Sequence, residues 1–191
     1  MRKIAILAVS GAFVLAANTP ALADSKSAAE FLLKTCLPAM DNLSKVEAMA
    51  QEGNWTPKPV LNPSSRFRTS NSKWEVTKGE EKFSVIVWIT HLGQQDYNRC
   101  FVNFLSNNVN REEFLGFVMA SLELTLISDT RFAEIQMLSE QYRIKSGRPN
   151  PIQLGIQSQI ADGIVKFSSI TEMVRFVIPP VVPAAPPQIG R

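Results

Sequence analysis

Histidine occurs once in this chain, at position 91, and cysteine twice, at positions 36 and 100. A single imidazole excludes any site built on two. No Gly-rich phosphate loop, nucleophile elbow or Cys-x-x-Cys pair occurs in the 191 residues, and no motif implies a cofactor. An excess of charge is lacking too. Removing Arg2 and Lys3, which lie in a segment read below as an export signal, leaves 18 of the 20 basic residues against 17 acidic ones. So balanced a chain has no electrostatic footprint for nucleic acid. What remains is an ordinary globular composition, 45% hydrophobic and 19% charged, of a size that fits one domain.

The first 23 residues have the three parts of a secretory signal. Arg2 and Lys3 give a positive start, Ile4 to Ala17 is an apolar run, and Ala21-Leu22-Ala23 is a small-x-small cleavage site. The run is 14 residues long, short of the roughly 20 that span a bilayer core as a helix. Cleavage after Ala23 is expected to release a chain beginning at Asp24, with no transmembrane span. The domain is expected over 24–178, and a Pro-rich tail over 179–191 with prolines at 179, 180, 183, 186 and 187.

In an oxidising compartment two cysteines allow one intramolecular bridge, Cys36–Cys100. Closing a loop of 64 residues removes roughly 4 kcal/mol of unfolded-chain entropy in the loop-closure model. A redox pair would need close spacing and an adjacent base, and zinc would find at most three ligands in Cys36, Cys100 and His91. The bridge therefore reads as structural.

Ser27-Ala28-Ala29-Glu30 has the capping-box pattern, followed by Phe31, Leu32, Thr35 and Cys36 at helical spacing. Ser44-Lys45-Val46-Glu47 repeats it, with Val46, Met49 and Ala50 as the stripe, Gly53 as a left-handed cap and Trp55 folding back. Thr56 to Asn71, with Pro57, Pro59 and Pro63, reads as a surface connection. Trp74 and Val76 mark a first strand and Gly79 a turn. Phe83 to Ile89 marks a second strand, apolar on both sides and so expected to be covered on both. In a third strand, Arg99 to Leu105, one face holds Cys100, Val102 and Phe104. Asn110 opens a helix bearing Phe114, Phe117, Val118, Ser121 and Leu122, widened by Leu115 and Met119. Leu122 to Ile127 fits a strand equally well. Asp129 is expected to cap a further helix with Phe132, Ile135, Leu138 and Tyr142 on one side. Ile152, Leu154 and Ile156 alternate toward a hairpin turn at Asp162-Gly163, which leads into Val165 and Phe167. The stretch from Met173 to Ile178 suits strand or helix. This order argues an α+β domain, a twisted antiparallel sheet with helices packed mainly on one face.

The candidate chemistry is sparse. His91 ends the second strand beside a loop with Gln94, Gln95 and Asp96. Asp96 or Glu75 could orient it as a general base, but nothing marks a nucleophile. Glu80-Glu81 in a hairpin turn and Glu112-Glu113 in a first helical turn are explained locally and lack the geometry of a paired-carboxylate site. Arg66-Phe67-Arg68, with Lys58 and Lys73, forms a small basic cluster that reads as a solvated loop. Trp55, Trp74 and Trp88 read as packing rather than as an exposed platform.

Cys36 on an opening helix, Gly53-Asn54-Trp55 ending the helical region, Trp74 on the first strand and Cys100 on the third together resemble small exported proteins of alpha-proteobacteria that remain without assigned function. The likeness covers residues 28 to 105. It implies a bacterial periplasmic setting and no activity, and no catalytic residue carries over. From the export signal and the missing enzyme motifs, the expected function is an exported, periplasmic or secreted, non-catalytic domain that binds another envelope or secreted protein or associates with an envelope component. The alternatives are a small secreted hydrolase using His91 and a structural subunit that self-assembles through strand edges.

Overall fold

The computed structural model describes residues 20–60, 68–92, 95–105 and 108–175. Helix α1 (Pro20–Cys36) runs through a 3₁₀ turn (Leu37–Ala39) into α2 (Ser44–Glu52). A two-residue strand, β1 (Thr56–Pro57), precedes a meander of β2 (Arg68–Lys78), β3 (Glu81–Leu92) and β4 (Gln95–Phe104). Helix α3 (Arg111–Ser121) then leads to β5 (Leu124–Phe132), β6 (Met137–Ile144), β7 (Ile152–Gln159) and β8 (Val165–Arg175). Among the described residues the eight strands form one antiparallel sheet in the order β1-β2-β3-β4-β8-β7-β6-β5, so β8 closes the second meander onto the first. This is the expected α+β architecture, with the helices on one face.

The covered face collects the alternating inward residues: Phe83, Val85 and Val87 of β3, Cys100, Val102 and Phe104 of β4, and Ile152, Leu154 and Ile156 of β7. On α1 the helical spacing of Ala28, Phe31, Leu32, Thr35 and Cys36 makes all five buried. A chain of aromatic contacts binds the layers. Trp74 meets Trp55 at 6.4 Å, Trp55 meets Phe31 at 5.9 Å, and Phe31 stacks on Phe83 at 4.3 Å. Phe83 meets Phe104 edge-on at 6.2 Å, and Phe104 meets Phe114 of α3 at 5.5 Å. The Cys36–Cys100 disulfide, with Cα atoms 5.4 Å apart, fixes the end of α1 to β4 inside this layer.

Several expectations are corrected. Ser27 caps nothing, because α1 already begins at Pro20; its hydroxyl instead donates to Glu81 at the β2–β3 hairpin. Ser44 starts α2 without a side-chain cap, and the Asn42 side chain accepts from its amide. Gly53 is not left-handed (φ −83°); Asn54 is (φ 51°). Glycine is required at 53 because a Cβ there would lie 2.5 Å from Nε1 of the folded-back Trp55. The connection read over Thr56–Asn71 is structured at both ends, since the β3 ladder continues out to Arg68 through backbone pairing that needs no apolar side chains. The helix expected after Asp129 is absent: β5, a 3₁₀ turn (Ala133–Ile135) and β6 occupy that stretch. Glu140, Tyr142 and Ile144 point inward with period two against β7, and this pairing overrides the helical spacing of Phe132, Ile135 and Leu138. Met119 does not widen the buried stripe of α3, being 53% exposed. Met173 to Arg175 continue β8, and 176–178 and the tail at 179–191 lie outside the described residues, as do positions 1–19. Among the described residues no helix is long and apolar enough to cross a membrane.

Candidate functional site

The second face of the sheet carries no helix among the described residues, which corrects the expectation that β3 is covered on both sides. Strand register arranges its side chains in three rows. The first runs Trp88, Arg99, Thr171, Gln153. The second runs Ile86, Phe101, Ser169, Gly155, Gln141, and the third Ser84, Asn103, Phe167, Gln157, Ser139. The smallest residues, Ser169 and Gly155, therefore meet in the middle. There the face sinks into a depression of about 210 Å³. Gly155 is part of its floor, and a Cβ at that position would come within 2.8 Å of Ser169 Oγ.

The walls differ in chemistry. On the β4–β8 side Phe101 and Phe167, with ring centroids 6.1 Å apart, line the depression, and outside the lining Trp88 of β3 lies over Phe101 at 4.2 Å. Arg99 lies 5.5 Å from the ring centre of Tyr97, so a guanidinium rims the same wall. On the β6–β7 side stand the amides of Gln141, Gln153 and Gln157. Flat apolar rings opposite uncharged donors and acceptors suit an extended, polar-backboned ligand better than a compact ion. Trp88 thus belongs to an aromatic platform rather than to the core, whereas Trp55 and Trp74 pack as expected.

Behind this floor lies a buried ionic cluster. Glu140 of β6 is 3% exposed and points to the helix side. It accepts from Arg111 Nε at 2.5 Å, from Arg111 Nη2, and from the Tyr142 hydroxyl at 2.9 Å. Burial alone would raise the Glu140 carboxyl, but Arg111 and Tyr142 overcome it and hold the group below its ordinary value. The hydrogen bond to Glu140 raises Arg111, and burial, reinforced by Glu140, pushes the Tyr142 phenol up to about 12. Arg111 opens α3, capped by the Asn110 side chain accepting from Glu112 and Glu113, so the cluster fastens that helix to the sheet.

The sequence candidates fall elsewhere. His91 and Asp96 stand directly opposite each other in the β3–β4 register, away from the depression; the His91 side chain lies outside the described residues. Glu75 pairs with Ser84 and bonds Lys58 at 2.9 Å. It lies seven positions along β3 from His91, about 23 Å at strand rise, which removes it as an orienting partner. Glu81 and Glu113 serve as acceptors for Ser27 and Ser25 of α1. Of the basic cluster, Lys58 is paired, and Arg66 and Phe67 lie outside the described residues. Among the described residues no three His, Cys, Asp or Glu side chains converge as a metal would need. The depression went unseen because its members come from four strands. The signal for it was the apolar second side of β3, which the expectation of cover on both sides assigned to the core. Compared with protein families, with curated proteins and with solved structures, the chain has no significant match.

Proposed function

We propose that this chain is an exported, non-catalytic binding domain of the bacterial periplasm or cell envelope, and that it takes an extended segment of another envelope protein into the depression on the open sheet face. The observation that carries the reading is the pairing of the Trp88–Phe101–Phe167 ladder with the glutamine wall across a floor at Gly155. The amino-terminal signal and the Cys36–Cys100 bridge support an oxidising compartment. The test is capture from envelope extracts by crosslinking to mature 24–191, with and without residues 179–191. Phe101→Ala and Gly155→Leu, which remove the ladder and fill the floor, are expected to cut recovery about tenfold, as loss of a binding hot spot does. Failure to recover any reproducible partner sinks the proposal.

The His91–Asp96 pairing favours a second reading, a small hydrolase. A hydrolytic substrate screen decides it: activity present in the wild type and lost in His91→Ala would displace the binding reading.

A further inference from the structure

The two edges of the sheet are built differently. At one end β1 is two residues long, contains Pro57 and closes only part of β2, the usual device for blunting an edge. At the other end β5 is nine residues long, pairs only with β6 among the described residues, and contains neither proline nor lysine; its ladder bulges between Leu126 and Ser128, and its charges are Asp129 and Arg131. Its residues after Leu124 are all exposed. Leu126 is 52%, Ile127 42% and Phe132 45% exposed, and Ile135 just beyond is 67% exposed. An unpaired edge of that length, with apolar side chains at both of its ends, is a template for another strand.

We infer that the β5 edge is a homodimer interface in which two copies pair antiparallel about Thr130. The argument is charge. Asp129 has Glu140, a like charge, as its inner cross-strand neighbour, and Arg131 has Leu138. Neither meets an opposite charge across β6. Two-fold pairing centred on Thr130 places Asp129 of each copy opposite Arg131 of the other, twice, on the same face of the sheet. The same register brings the 3₁₀ turn holding Ile135 to the Leu126–Ile127 end of the second copy, so the exposed apolar residues meet at both ends. Continuing a sheet through identical antiparallel edges requires a two-fold axis normal to the sheet. Both helical layers then lie on one side and both depressions on the other. The Gly155 floors stand five strand spacings apart, about 24 Å across the sheet. The pairing rests on no ligand, but it deepens the binding reading by making the open face bivalent toward a repetitive or paired partner segment.

The test is sedimentation of the full mature chain over a wide concentration range without ligand. Wild type is expected to double in mass as concentration rises. Asp129→Arg and Arg131→Asp each place like charges opposite one another and are expected to weaken dimerisation about tenfold or more. Mixing the two single variants restores complementarity and is expected to give a heterodimer, an outcome that misfolding or a purely local role cannot produce. Thermal midpoints equal to that of wild type at dilutions where all three are monomeric confirm that both variants fold. A wild type that stays monomeric, single variants that dimerise as well as wild type, or a mixture that forms no heterodimer would each overturn the inference. A dimer that holds while envelope capture fails removes the binding proposal and leaves this one standing.

Discussion

Helices α1 and α3 lie side by side over the same sheet but are fastened to it by opposite chemistry. The end of α1 is tied to β4 by the covalent Cys36–Cys100 bridge, wholly buried and without a titrating group. The start of α3 is tied to β6 by Arg111, Glu140 and Tyr142, a charged cluster that depends on its protonation state. The first constrains the unfolded chain whatever the pH. The second holds only while each partner compensates the other's desolvation, so its value lies in completeness rather than in any one bond. One sheet thus carries a redox-dependent clamp and a pH-dependent one.

The contrast can be broken at several points. Arg111→Ala should have the largest effect, about 3–5 kcal/mol in denaturant unfolding, because it strands the Glu140 carboxylate in the interior. Cys36→Ala with Cys100→Ala should cost about 2–4 kcal/mol. Its signature is that reductant destabilises the wild type and leaves the double variant unmoved. Next comes pH, followed by thermal midpoint. Glu140 is lowered in the fold from 4.5, so its contribution is present above that pH and is lost as pH falls through the folded value. Tyr142 is raised from 10.0 to about 12, so its contribution is present below 10.0 and is lost as pH rises toward 12. Glu140→Gln should flatten the acid limb and Tyr142→Phe the alkaline limb, while removal of the disulfide should lower the whole curve without changing its shape. Gly53→Ala, whose Cβ would push into Trp55 and within 3.0 Å of the Met49 carbonyl oxygen, should cost about 1–3 kcal/mol. The smallest effect is expected at Lys145, whose pair with Glu123 at 2.8 Å is mostly exposed. Lys145→Ala should change stability by less than about 1 kcal/mol, which would show that burial, not charge pairing as such, gives the Arg111 cluster its weight.

The covalent clamp was legible in the chain and the ionic one was not. Cys36 followed from the helical spacing of Phe31, Leu32 and Thr35, and Cys100 from its alternation with Val102 and Phe104. Glu140 gave a signal only in its inward place between Leu138 and Tyr142, and reading Leu138 and Tyr142 as one side of a helix concealed it. The same error hid the second half of β5, although its start, Leu124 to Ile127, lies in the stretch that fitted a strand equally well. Trp88 reads from the sequence as packing; its place on an open face, and the meeting of Phe101 with Phe167 and Gly155, required strand β8 to close against β4, a contact between residues far apart in the chain.

By itself the sequence determined the elements whose signals are local: the helical stripes, the hairpin turns at Gly79 and Asp162-Gly163, the inward sulfurs and the class of fold. Periodicity and turn chemistry act over a few residues and can be read one segment at a time. Tertiary structure decided which strands became neighbours. That choice converted a helical pattern into β5 and β6, set Glu140 against Arg111, and assembled the depression from four strands, because strand partners and cross-strand rows exist only once distant segments pair.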